Sequence, residues 1–257
     1  MHLKECIIFK SFIGGINKNI DIQQVSVIEP LMYHMPSHEI SRTKFIVEDY
    51  AVSTIIILYD NEGLQEIEHA FEFLIGSYAH IKIFFGFLQG KNLQISCDIK
   101  MQGVQSKAEI YALYALNQTQ SLSFSTQQLH LMPHTSSVLL IKGALTDTAQ
   151  CKYKGLIYVD EQARNTYADQ QHQNLMLSQK SNLQTDPHIQ VHTNEVMCSH
   201  GAASSGFDDE QLYSLQARGI SESKAKELLF EAFLQEALVC IPQEHKFIHC
   251  INTKVML

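Results

Sequence analysis

The feature that most limits the fold is a succession of short strand-like segments with no helix between them. The clearest alternates without a break: Leu93, Ile95, Cys97, Ile99 and Met101 are apolar, and Gln94, Ser96, Asp98 and Lys100 between them are polar. Successive side chains of a strand point to opposite faces, so this is a half-buried strand with Cys97 in the core. Residues 55–59 form a β-branched run closed by Asp60-Asn61, a strand followed by a turn. Further strands are predicted at 109–116, 122–124, 129–131, 138–145, 156–159 and 189–197. Residues 64–75 fit a helical and a strand period equally. The polar run 163–173, ARNTYADQQHQ, shows neither period and reads as a loop with exposed amides.

Strands in series without helices exclude a βαβ fold and leave a sandwich, a barrel or a parallel β-helix. Asn-Gly and Asp-Gly, the commonest two-residue hairpin turns, are absent, which weighs against hairpins. Residues 1–40 are the least regular part, with a weak apolar segment at Cys6–Phe9, then Gly14-Gly15, Pro30 and Pro36. They read as irregular structure with one or two short strands.

The period becomes helical after residue 207. Asp208 with Gln211 three positions on gives a helix start, Leu212 and Leu215 follow on one face, and Gly219 stands where a helix ends. Ser221 caps a second helix, whose Ala225, Leu228, Leu229, Ala232 and Phe233 form an apolar stripe. Between Asp208 and Val239 seven acids face three bases, the wrong sign for a phosphate-tracking surface. The whole chain carries a net charge of −8, so nucleic acid and anionic membrane are not expected partners. The six cysteines fall singly with no C-x-x-C, and no apolar stretch nears the roughly 20 residues that span a bilayer. A cytoplasmic protein is expected.

The junction between strands and helices, residues 192–210, reads HTNEVMCSHGAASSGFDDE. In a strand that continues through Gly201, Cys198 and His200 project to one side, about 6.5–7 Å apart at Cα. A thiolate beside an imidazole suits an iron–sulfur cluster, zinc or copper, but two ligands do not complete a site. The remaining donors would come from elsewhere, most simply a partner subunit. The plainer reading is a buried cysteine and a hydrogen-bonded histidine at a junction. Glu195 falls on the opposite face of a regular strand, and His130 and His134, around Pro133, read as turn and packing residues. The chain lacks G-x-x-x-x-G-K-[ST], G-x-S-x-G and H-E-x-x-H, so no P-loop, hydrolase nucleophile or zincin helix is present.

Five blocks resemble the SufB/SufD family of iron–sulfur cluster assembly scaffolds. They are LHLMPHTSSVLLIKGAL (129–145), YKGLIYVDEQARNTYADQQHQNLMLS (153–178), TDPHIQVHTNEVMCSHGAA (185–203), FDDEQLYSLQARGIS (207–221) and KELLFEAFLQE (226–236). Cys-Ser-His-Gly after Glu195-Val196 resembles the SufD branch, since the SufB branch has an acidic residue at the position of His200. The resemblance implies a mostly β fold, a right-handed parallel β-helix followed by a small C-terminal α-helical domain. The expected division is an irregular segment 1–40, a β-helix core 41–206, a helical domain 207–239 and a tail 240–257. It also implies a non-enzymatic scaffold that pairs with a SufB-type subunit and docks a SufC-type ATPase, with room for a homodimer when SufB is absent. Leu212, Leu215, Leu228, Leu229 and Phe233 would make the SufC contact. His200 and Cys198 would face a transient cluster shared with the partner, none being held tightly by the isolated chain. Asp169, Gln170, Gln171 and Gln173 would satisfy exposed backbone in the β-helix turns. Two departures stand out: the family's N-terminal helical domain has no counterpart in this sequence, and Ala203 replaces a common threonine. The rival reading is a self-contained β-helix metal-dependent hydrolase or carbohydrate-active enzyme, which would need clustered carboxylates along a groove.

Overall fold

The computed structural model describes residues 6–9, 18–22, 40–59, 66–87 and 90–238. The strands are β1 Cys6–Phe9, β2 Lys18–Ile22, β3 Ile40–Val47, β4 Val52–Tyr59, β5 Glu66–Ile75, β6 His80–Phe87 and β7 Asn92–Met101. They continue with β8 Lys107–Leu116, β9 Ser121–His130, β10 Ser136–Leu145, β11 Gln150–Val159, β12 Thr166–Met176, β13 Asn182–Val191 and β14 Val196–Ser205. Two helices follow, α1 Asp209–Gln216 and α2 Glu222–Gln235, and then a 3-10 turn, Glu236–Leu238. No helix among the described residues is long and apolar enough to cross a membrane.

All strand pairs are parallel. One sheet has the order β1-β4-β6-β8-β10-β12-β14 and the other β13-β11-β9-β7-β5-β3-β2. From β3 onward the chain passes alternately between the two sheets, so each coil stacks on the one before it as a parallel β-helix. The corners are built by residues in the left-handed region: Tyr50, Tyr78, Gln105, His134 and Asn165 have φ between 55° and 62°. At this corner each amide reaches the next coil, as in Tyr50 N to Ser77 O at 2.8 Å and His134 N to Arg164 O at 2.8 Å. A corner that donates to the coil above does the work that a hairpin turn does in an antiparallel sheet, which is why the hairpin dipeptides are missing.

Inward-facing residues of the early coils are apolar. Phe45 stacks on Phe73 at 4.6 Å, and Phe71, Phe85 and Phe124 meet edge to face or tilted at 5.5–5.6 Å. Cys97 is fully buried among them, as its place in the alternating strand implied. The outer face of the β4–β12 sheet is covered by α2 and the 3-10 turn at the C-terminal ends of its strands. Phe230, Leu234, Ala237 and Leu238 pack there on Ile56, Phe84, Leu113, Leu140 and Leu175. Those strand ends are therefore buried on both sides, and their sequences (VLLIKGAL in β10) are apolar on both faces, Lys142 excepted.

Several expectations are corrected. The run 163–173 is not an exposed loop: it leads into β12, where Gln170, His172 and Asn174 face inward and are buried. Gln170 therefore satisfies no exposed turn, and Asp169, Gln171 and Gln173 lie on the outer face of the same strand. The predicted strands 122–124 and 129–131 are one strand, β9, and 189–197 is two strands broken at 192–195. The ambiguous 64–75 is strand from Glu66. β6 was not foreseen. Within residues 1–40, β1 and β2 pair with β4 and β3, and the rest lies outside the described residues, as does the tail 240–257.

Candidate functional site

β14 pairs only with β12, and β13 only with β11, so both strands of the last coil have one free edge among the described residues. β14 runs unbroken through Gly201 to Ser205, which meets the condition for Cys198 and His200 to share a side. Cys198 pairs in register with Ala168 and His200 with Gln170. Ala168 and Gln170 are fully buried inward residues, so Cys198 and His200 also face the inside of the solenoid. They are its last layer. Cys198 is half-buried with Val196 against Ile157, Val159, Ala163 and Ala168, whereas His200 is exposed.

The two side chains differ chemically. Burial raises the Cys198 thiol above its ordinary value, and a backbone hydrogen bond at Ala168 only partly offsets this. Cys198 is therefore a protonated thiol near neutral pH and would have to lose that proton to bind a metal. The His200 side chain is exposed, so its imidazole is accessible as a ligand. Among the described residues no three His, Cys, Asp or Glu side chains group so as to hold a metal ion. The pair offers at most two donors, and a complete site needs others.

On the outer face of the same strand, Ser199 Oγ donates to Asp169 Oδ1 at 2.5 Å, and Gln171 Nε2 donates to that carboxylate at 3.2 Å. The Gln171 amide lies across Gly201, where a Cβ would come within 2.4 Å of its Oε1. The glycine of Cys-Ser-His-Gly thus lets a neighbouring side chain lie flat over the strand. Met197 is 71% exposed and pairs with the exposed Tyr167, an apolar rim beside the site. Glu195 is not in the strand: it lies in the bend before β14, and its carbonyl accepts from Asn165 N at 2.7 Å.

The inner wall beneath the pair was missed in the sequence. Gln128, His130, Ser137, Gln170, His172 and Asn174 are all buried. His130 bonds Thr135 and Ser137, and His134 sits at a corner, so both have the structural roles expected of them. The signal for β12 was an alternation of Ala168, Gln170, His172 and Asn174, hidden because both faces of the strand are polar.

The helices bear the remaining candidates. Asp208 Oδ1 accepts from Glu210 N and Gln211 N at 2.8 and 3.0 Å, and Gly219 has φ of 86° after α1, as the capping pattern required. The buried side of α2 is Ala225, Phe230 and Leu234, so of the stripe read from sequence only Ala225 is fully buried. Phe233 packs along the same cluster, with the Lys142 ammonium 4.7 Å from its ring centroid. Leu228 is exposed, and Leu212, Leu215 and Leu229 are half-buried.

The family model described as SUF system FeS cluster assembly, SufBD core domain, matches residues 23–233. An iron–sulfur cluster assembly SufBD family protein of Mycobacterium leprae is 28% identical over 210 residues, 78% of this chain and 54% of the relative. The iron–sulfur cluster assembly protein SufD of Escherichia coli is 27% identical over 195 residues, 72% of this chain and 46% of the relative. SufB of Bacillus subtilis is 26% identical over 150 residues, 58% of this chain and 32% of the relative. The chain thus spans about half the length, or less, of these curated relatives, and it resembles both branches. With the matched region running from before β3 through α1 and nearly all of α2, the chain belongs to the SufBD core domain family of iron–sulfur cluster assembly proteins.

Proposed function

We propose that the chain is a non-enzymatic, SufD-like scaffold subunit, paired with a SufB-type subunit at the open end of the solenoid. The observation that carries this is the last described coil, where two strand edges that are unpaired among the described residues flank an exposed His200. Unpaired backbone groups along β13 and β14 are a ready template for a strand from another chain. Such a partner would also bring the donors that Cys198 and His200 lack. The iron–sulfur cluster is then cargo, built between two subunits, with His200 as the better ligand and Cys198 contributing only once deprotonated.

In the same reading the α1–α2 segment docks a SufC-type ATPase through Leu228 with Leu212, Leu215 and Leu229. Phe233 has a lesser part, because its ring already packs on the chain's own sheet. SufC would supply the ATP hydrolysis for which this chain has no motif.

Anaerobic co-purification of the tagged chain with SufB and SufC from the same source tests the assembly, and capture of neither rejects it. His200→Ala should leave the folded chain and SufB binding intact while lowering iron and sulfide in the complex. Unchanged cluster yield would return His200 to a structural role. Leu228→Asp should release SufC and spare SufB. Retention of both would move the ATPase contact elsewhere.

A further inference from the structure

We propose that the last coils of the solenoid hold a buried water-binding site formed by Gln128, Gln170 and His172, one layer beneath His200. Gln170 Nε2 and Oε1, Gln128 Oε1 and His172 Nδ1 are buried atoms with no hydrogen-bond partner among the described residues. Gln170 and His172 are successive inward residues of β12. The Gln170 amide lies against Gly155 of β11, where a Cβ would come within 2.2 Å of Nε2. Gln128 Nε2 reaches the carbonyl of Asp169, next to Gln170, at 3.5 Å, and the His172 ring is 4.7 Å from that of Tyr153, the inward residue before Gly155. The unpaired atoms therefore share one part of the interior. His200 stands above it, paired in register with Gln170.

The surrounding hydrogen bonds fix what these atoms need. Thr135 gives its proton to the Met132 carbonyl, so His130 Nδ1 donates to Thr135 and His130 Nε2 accepts from Ser137. The Ser137 oxygen then accepts from Gln128 Nε2 at 2.7 Å, which leaves the Gln128 carbonyl as the unpaired end. Tyr114 gives its proton to Asn174 Oδ1, so His172 Nε2 donates to the Tyr114 oxygen at 3.0 Å and Nδ1 is a bare acceptor. Burial holds the His172 imidazole neutral. The site thus presents three acceptors and one donor group. An anion would meet mostly acceptors, whereas water, with two protons to give and two lone pairs, fits. Internal waters typically make about three hydrogen bonds to such groups. When a partner covers the open end, this water would remain to solvate the inward side of His200, a consequence that rests on the assembly proposed above.

The isolated chain suffices for the test, so its outcome is independent of SufB binding. A crystal structure that shows ordered water should place at least one molecule about 2.7–3.2 Å from two or more of these groups. A bromide soak of the same crystals should give no anomalous peak there. In solution, the Gln170 side-chain amide should cross-relax with long-lived water. A bromide peak in the site overturns the proposal. So does a dry site that admits xenon, or direct pairing of the Gln128 and Gln170 amides.

Discussion

Tyr114 shows how little room a single residue has inside this solenoid. Its buried ring is held at the hydroxyl by His172 and Asn174, and a Cβ on Gly143 would lie 2.0 Å from its Cζ. The ring cannot swing aside without breaking both bonds. Gly143→Ala should therefore destabilise the chain by about 1–3 kcal/mol, the usual range for overpacking. A lower urea midpoint at unchanged slope would register it. Gly201→Ala offers a control of the same chemistry. Its new methyl would meet only the end of the Gln171 side chain, on the outer face where that side chain can rotate away. Its cost should stay within about 0.5 kcal/mol. Equal losses at the two positions would mean that the outer network of Asp169, Ser199 and Gln171 is as rigid as the core.

At the scale of elements, α2 is held by few side chains. Phe230 and Leu234 are fully buried on the outer face of the sheet, and Lys142 reaches up from β10 to Glu236 Oε2 at 2.8 Å and to Gln173. Phe230→Ala should cost about 3–5 kcal/mol and loosen the helices before the solenoid. Limited proteolysis should then cut between Ser205 and Asp208 while the strand signal persists. A single cooperative loss of both would make helices and solenoid one unit. What was legible here follows from the physics of each element. β7 was plain because one face is apolar and the other wet, and the start of α1 was plain because a cap is a local hydrogen bond. β12 was hidden because its inward row carries amides and an imidazole. The buried face of α2 was misplaced because a broad apolar stripe does not say which of its edges meets the sheet. In the site, the common side of Cys198 and His200 was readable from spacing. The exposure of His200 was not, since it depends on β14 being the last strand of its sheet among the described residues.

Over the whole molecule, buried imidazoles make stability depend on pH. Burial lowers His69, His130 and His172 to about 4 each, with a hydrogen bond to Asn174 working the other way at His172. In the unfolded chain each returns to its ordinary 6.5. Between those values the unfolded chain binds more protons than the folded one, so stability is full above pH 6.5 and is lost as pH falls towards 4. Linkage puts the loss at roughly 2 kcal/mol per histidine by about pH 5, or about 6 kcal/mol for the three. Glu109 acts in a lower window. Burial raises its carboxyl, but hydrogen bonds from Lys107, Lys82 and His80 outweigh this and bring it down to about 2. Its contribution is full above its ordinary 4.5 and disappears only below that, so the decline above pH 5 belongs to the histidines. Urea midpoints across roughly pH 5–7.5 should give a slope approaching three protons at the acid end. His69→Gln, which can still bond Thr43, should remove about one of them. A slope below one proton in the parent chain would mean that the interior admits protons to these rings without unfolding.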